Sequence, residues 1–284
     1  MQTSRPERTA IPDVETGAGA HPGHDGASMK PLPVFDDEAQ RLAGEINRTL
    51  DYGALGQLLA SEVFPYVFSE KAQRLLGKVH RKPDHDALSQ LLAAEALPLI
   101  GRINRAKYAI NLDYWLRRNA QRAVDLDLHH GKRRKILEIG TGGGYFSAVC
   151  QHLGHDVHAT DKTLDDPIFA GVCAILGVKV SYLEIRPMEA MVLAEGVSGP
   201  FDLVAGYATC FNHYFDGSNR QWGGDEWRYF LDHALAAHLA PGAIVNFELN
   251  RNARGEDALD AEVAAVFREK GGRIDGRKTL ISCA

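Results

Sequence analysis

Lys135-Ile136-Leu137-Glu138-Ile139-Gly140-Thr141-Gly142-Gly143-Gly144-Tyr145-Phe146 is the stretch that decides the fold. A short run of branched apolar residues enters four glycines in five positions, and Tyr145-Phe146-Ser147-Ala148-Val149-Cys150 then has helical character. The reading is strand, tight turn, helix. Glycine tolerates positive φ and lets a ligand approach the backbone with no Cβ in the way. The turn is therefore expected to hold a ligand against the amides of the helix start.

Two kinds of cofactor site use such a turn. The dinucleotide pattern Gly-x-Gly-x-x-Gly calls for glycine or alanine at its sixth position, which is Tyr145 counted from Gly140 and Ser147 counted from Gly142. Neither frame fits well. An acid, Glu138, stands two positions before the first glycine, and the next strand, Asp156-Val157-His158-Ala159-Thr160-Asp161, ends on a second acid. With Glu138-x-Gly140-x-Gly142-x-Gly144 followed by Asp161, the region resembles the class I S-adenosylmethionine-dependent methyltransferases. The resemblance covers roughly residues 131 to 284. It implies an α/β, Rossmann-like, doubly wound and mostly parallel sheet with S-adenosyl-L-methionine as cofactor. The cofactor-binding residues it implies are Glu138, Gly140, Thr141, Gly142, Gly144 and Asp161. In that family the glycine turn packs under the methionyl part of the cofactor, and the acid ending the second strand accepts hydrogen bonds from the two ribose hydroxyls. A carboxylate suits that task because it offers acceptor oxygens to two donors. Taken singly, Asp161 reads equally as a solvated strand-end carboxylate.

Length and composition set the frame. A chain of 284 residues with 45% hydrophobic content buries a sizeable core, as one large domain or a domain with an appended unit. A formal net charge of -5 argues against nonspecific nucleic-acid binding. The basic run Lys132-Arg133-Arg134-Lys135 reads as a solvated strand entry. Cys150, Cys173, Cys210 and Cys283 have no Cys-x-x-Cys spacing, and no apolar N-terminal segment marks the chain for secretion, so a cytoplasmic location is expected. No apolar run reaches the roughly 18 residues of a membrane span. His152, His155 and His158 fall on a helix end, a turn and a strand, and His21-Pro22-Gly23-His24 reads as solvated tail, so no metal centre is expected.

Along the chain, residues 1–34 are rich in small, turn-forming and charged residues and read as a disordered tail, in which Met29 offers an alternative start. Residues 35–130 read as a helical N-terminal region. Leu42, Ile46 and Leu50 share one face, and Leu88, Leu91, Leu92, Ala96 and Leu99 share another. Turns are expected at Asp51-Tyr52-Gly53 and Arg81-Lys82-Pro83-Asp84, and a kink or stop at Pro98. Tyr114 and Trp115 read first as core packing. Residues 131–284 form the cofactor-binding domain, with a helix near Pro167 to Leu176 and strands at Lys179 to Ile185 and Phe201 to Tyr207. A helix from Asp225 to Leu239, stopped by Pro241-Gly242, precedes a strand at Ala243 to Leu249. A helix near Ala258 to Lys270 and an extended Arg273 to Ser282 follow. Strands alternating with helices imply a parallel sheet covered on both faces, with ligands beyond the carboxyl ends of its strands.

The resemblance implies methyl transfer, an in-line displacement in which the protein aligns an acceptor and removes its proton where necessary. The acceptor side is expected in the loop Ala208-Thr209-Cys210-Phe211-Asn212-His213-Tyr214-Phe215-Asp216 after the fourth strand. Its Asn-Pro-Pro-Tyr form, seen in enzymes acting on amino groups of bases, is absent. His213 is the candidate catalytic base, because an imidazole ordinarily titrates near neutrality. Cys210 reads as a buried small hydrophobe at a strand end. A small-molecule acceptor is expected, with neither nucleic acid nor membrane as partner. Another S-adenosylmethionine-dependent group transferase, a nicotinamide-dependent oxidoreductase and a cofactor-binding module without catalysis stay open.

Overall fold

Branched and aromatic strands alternating with helices build a seven-stranded sheet among the residues that the computed structural model describes, 33–64, 105–218, 220–251 and 257–283. The strands are β1 (Lys135–Ile139), β2 (Asp156–Asp161), β3 (Val180–Tyr182), β4 (Phe201–Thr209), β5 (Leu239–Leu249), β6 (Arg273–Asp275) and β7 (Lys278–Ser282). Their spatial order is β3-β2-β1-β4-β5-β7-β6. The five strands from β3 to β5 are parallel, and β7 and β6 continue the sheet antiparallel as a hairpin turned by Gly276 at φ 56. The fold is thus the expected doubly wound α/β sheet, mostly rather than wholly parallel. Helices bounded within the described residues include α1 (Asp37–Thr49), α2 (Tyr52–Leu58), α3 (Leu112–Asp125), α4 (Tyr145–His152), α5 (Pro167–Ile175), α6 (Gly224–Tyr229) and α7 (Ala261–Glu269).

Local chemistry sets several boundaries. The side chains of Asp51, Asp166 and Asp260 accept from Ala54, Phe169 and Val263 amides and so cap α2, α5 and α7. Pro167 occupies the first turn of α5, where its missing N–H costs nothing.

Alternation along the strands sorts the core onto two faces. Ile136, Leu203 and Ala205 face one side with α1, α3 and α4, where Leu42, Leu116, Phe146 and Val149 are buried. Leu137, Ile139, Val204, Val245 and Phe247 face the other, against Trp222, Trp227, Phe230, Val263 and Phe267. Side chains of period two leave no freedom here, since a one-residue slip would exchange the two cores.

Three expectations change. The helix expected to run from Asp225 to Leu239 ends as an α-turn at Tyr229, continues as a π-helical turn over Phe230–Ala234, and closes as a 3-10 turn over Ala236–His238. Pro241-Gly242 does not precede β5 but lies inside it. β7 pairs with β5 only from Ile244 onward, so Pro241 has no donor duty there, and the register against β4 shifts between Phe201 and Leu203. The third strand is shorter than expected, at Val180–Tyr182. The faces expected over Leu88 to Leu99, the turn at Arg81 to Asp84 and the kink at Pro98 lie outside the described residues. Among the described residues no helix is long and apolar enough to cross a membrane.

Candidate functional site

The glycine turn leaves β1 at Gly140 and enters α4 at Gly144, with Gly140, Gly142 and Gly144 at φ 70, 52 and 76. Only glycine holds such a sequence of left-handed residues without strain. A Cβ on Gly140 would stand 2.3 Å from Thr209 Cγ2, and one on Gly144 would press Cys173 Sγ and Val178. One on Gly142 would meet the Phe169 ring at an ordinary 3.7 Å.

Glu138 is buried beneath this turn. Its Oε2 accepts from Thr141 Oγ1 at 2.6 Å, Ser147 Oγ at 2.5 Å and the Ser147 amide at 3.2 Å. Burial pushes its carboxyl above the usual range against the opposing pull of Ser147 and Thr141. Glu138 and Thr141 therefore shape the turn from within. Asp161, at the tip of β2, accepts from the Gly142 amide at 3.0 Å and from the Thr163 amide at 3.0 Å. The structure thus brings all six expected cofactor residues to one corner of the sheet, at the carboxyl ends of β1 and β2.

Four of the turn's amides are engaged within the protein. Gly140 and Thr141 both donate to the Thr160 carbonyl, Gly142 donates to Asp161, and Gly144 donates to the Thr141 carbonyl. What the glycines offer a ligand is bare backbone beside the Asp161 carboxylate, with Glu138 buried beneath the turn. Such a surface suits a ligand with hydroxyl donors and a positive centre.

Aromatic side chains border the turn. The Phe169 ring lies over Gly142, Tyr108 sits 5.3 Å from Phe169 edge to face, and Trp115 lies 4.5 Å from Tyr108. Trp115 and Tyr114 are half-buried and pack on each other at 5.1 Å; Trp115 packs against the buried core as read, whereas Tyr114 rests on Phe35 and Trp115 at its margin.

At the tip of β4 the backbone is unusual. Ala208 holds φ 56, and the register with β5 slips between Tyr207 and Thr209. The buried Tyr207 hydroxyl and Thr209 Oγ1 have no hydrogen-bond partner among the described residues. Left-handed backbone at a non-glycine residue costs of order 1 to 3 kcal/mol and gathers at functional positions. The slip also turns Cys210 outward. It is exposed rather than buried, with Sγ 3.8 Å from Gln221 Oε1, because the strand alternation breaks one residue before it.

The loop that follows is a tight hairpin. The His213 amide donates to the Arg220 carbonyl and Trp222 to the Phe211 carbonyl, while Phe211 and Trp222 bury their rings 5.0 Å apart in the second core. His213 Nε2 lies 2.9 Å from Glu226 Oε1 and 2.6 Å from Arg220, and its Nδ1 lies 3.8 Å from Asp216. Glu226 also takes Arg220 at 2.7 Å and the Gly223 amide at 3.0 Å. Partial burial opposes ionisation of Glu226, but the Arg220 and His213 hydrogen bonds hold its carboxyl down at about 2. The two neighbours of His213 Nε2 make opposite demands, the Glu226 carboxylate for a proton there and the donor-only Arg220 guanidinium for a lone pair.

Sequence reasoning missed a third cluster. Glu248 on β5 is buried and takes Arg122 of α3 at 2.5 Å and Arg118 at 2.8 Å, and the Arg122 guanidinium lies 4.1 Å over the Tyr207 ring. Burial pushes the Glu248 carboxyl up, but Arg122 and Arg118 outweigh it and leave it below its ordinary value of 4.5.

No family model matches the sequence, and no curated protein matches it. Solved structures do. A ribosomal protein L11 methylase from Lactobacillus delbrueckii subsp. bulgaricus is 18% identical, with 58% of this chain and 77% of that one covered at a TM-score of 0.36. DesVI of Streptomyces venezuelae is 13% identical, with coverage of 72% and 100% at 0.40. CalS10 from Micromonospora echinaspora, an amino pentose methyltransferase with S-adenosylmethionine bound, is 22% identical, with coverage of 48% and 50% at 0.32. The chain thus spans about half the length of CalS10. The sheet order and the glycine turn, rather than these partial likenesses, define the architecture. The fold is Rossmann-like.

Proposed function

We propose that the chain is a methyltransferase that moves the methyl group of S-adenosyl-L-methionine to a small-molecule acceptor. The observation that carries this reading is the left-handed glycine turn whose bare backbone lies beside Asp161 at the carboxyl ends of β1 and β2. The Asp161 carboxylate suits ribose hydroxyls, and a nicotinamide dinucleotide is disfavoured because Tyr145 or Ser147 stands at the sixth position of its glycine pattern. When bound, the cofactor supplies an activated methyl group. Gly140 to Gly144 would lie under its methionyl part, and Asp161 would accept from its ribose.

Calorimetry with S-adenosylmethionine and NAD, followed by a labelled-methyl transfer screen, tests the reading. Saturable binding of NAD with none of S-adenosylmethionine would overturn it. Asp161→Ala is expected to weaken the cofactor by about 1.5 to 3 kcal/mol, or roughly tenfold to a hundredfold in Kd, the worth of a charge-assisted hydrogen bond. An unchanged Kd would remove Asp161 from the site.

On the acceptor side, the loop after β4 offers His213 as a base, with Glu226 and Arg220 at its Nε2 holding the ring in place. His213→Ala is expected to lower kcat roughly a hundredfold with cofactor affinity nearly unchanged. A raised KM for the acceptor at surviving kcat would instead make His213 a positioning residue.

A further inference from the structure

The turn joining α3 to β1 lies at the amino ends of the strands, away from the glycine turn, and it gathers Asp127, His129 and His130. One ligand-type atom from each lies within 4.8 Å of the others. The two imidazole rings are 3.9 Å apart between centroids, at 40°. His129 Nδ1 is buried and finds no hydrogen-bond partner among the described residues, although an imidazole nitrogen out of reach of water is normally satisfied. Glu38 of α1 stands within the electrostatic reach of both histidines. Its carboxyl is held down first by its hydrogen bonds to Arg41 and further by His129 and His130.

The backbone beneath these side chains is fixed independently of them. The Asp127 amide donates to the Val124 carbonyl and Leu128 to the Ala123 carbonyl. His155, from the turn before β2, clamps the segment: its Nδ1 accepts the Arg134 amide at 3.1 Å, and its Nε2 meets the Leu128 carbonyl at 2.9 Å. That pattern puts the His155 proton on Nε2 and occupies both of its nitrogens. His155 is therefore a support for the turn rather than a ligand.

We propose that Asp127, His129 and His130 form a binding site for a divalent transition-metal ion of the zinc type. Two imidazoles and a carboxylate are the donors such an ion prefers, and they leave a fourth position for water. Tetrahedral bonds of about 2.0 to 2.2 Å bring ligand atoms to roughly 3.3 Å apart. Closing from 4.8 Å or less to that spacing takes rotamer changes in the exposed Asp127 and His130. The ion would brace the entry to β1 and take no part in methyl transfer.

The test uses the full chain without an affinity tag, stripped by a chelator and titrated with Zn²⁺ against a chromophoric competitor, then with Co²⁺ followed by its visible absorption. The expected result is one ion per chain, with affinity reduced about tenfold or more in each of Asp127→Asn, His129→Gln and His130→Gln, as loss of one of three protein ligands requires. Asparagine tolerates the left-handed backbone that Asp127 holds at φ 52, and His130 is exposed, so both of those variants keep the fold, which circular dichroism checks. A His21→Gln, His24→Gln double variant is expected to bind as the parent does. Absence of saturable binding at millimolar Zn²⁺ would overturn the site. So would unchanged affinity in the Asp127 and His130 variants, or loss of binding in the His21, His24 variant alone.

Discussion

Gly142→Val is expected to abolish S-adenosylmethionine binding in a chain that still folds, whereas Gly140→Val is expected to damage the fold as well. Both residues hold positive φ, at 52 and 70, so each substitution carries backbone strain of order 1 to 3 kcal/mol. They differ in what the new side chain meets. At Gly142 the first neighbour is the Phe169 ring at 3.7 Å, ordinary contact, so the valine methyls project over the outer surface of the turn where the ligand would lie. At Gly140 the Cβ alone would stand 2.3 Å from Thr209 Cγ2. Thr209 cannot easily yield: its side chain is β-branched, and its carbonyl is held by the Asn250 amide at 2.8 Å. Calorimetry and thermal unfolding on both variants separate the effects. Wild-type cofactor affinity in Gly142→Val would show that the turn is purely structural. An unaltered Tm in Gly140→Val would show that Thr209 moves aside.

The gathering of the candidate cofactor residues was legible because its determinants are local and chemically restrictive. Glycines at alternating positions and an acid at a strand end each have few physical uses, and the structure gathers Glu138, Gly140, Thr141, Gly142, Gly144 and Asp161 at one place. What the sequence hid was the hydrogen bonding. Nothing in Gly-Thr-Gly says that Thr160 at the end of β2 receives two of the turn's amides, because that depends on the register of β1 against β2. The surroundings of His213 were hidden in the same way. Glu226 lies on the next helix, and it reaches His213 only because Phe211 and Trp222 fold the intervening loop into a hairpin. Pro241-Gly242 was misread for a tertiary reason: a proline stops a helix everywhere, but it is tolerated in a strand whose neighbour ends before it. Arg118 and Arg122 were overlooked because arginines four apart on a polar helix read as a solvated face. Their partner Glu248 is 126 residues beyond Arg122.

That last cluster carries the largest expected effect on stability. Arg122→Ala is expected to destabilise the fold by about 3 kcal/mol, the lower end of the 3 to 5 kcal/mol range for removing one partner of a buried ion pair, because Arg118 still reaches Glu248 Oε1 at 2.8 Å. The loss goes beyond one contact. The guanidinium also lies over the Tyr207 ring and binds Asn119 Oδ1 at 2.8 Å, so α3, β4 and β5 are tied together beside the strained tip of β4. The pH dependence identifies the cause. In the wild type the folded Glu248 pKa lies below 4.5, so its stabilising contribution is complete above that pH and is lost as pH falls through the folded value. In the variant, burial with one guanidinium fewer shifts the folded pKa upward, and protonation relieves a poorly paired charge. The gap between the two proteins should therefore be widest near neutrality and narrow as the medium is acidified below the ordinary carboxyl pKa. Urea unfolding at neutral pH and at pH values under 4.5 measures it. A deficit that stays constant across that range would assign the loss to packing rather than to charge. A deficit under about 1 kcal/mol at neutral pH would show that the pair contributes no more than an exposed salt bridge.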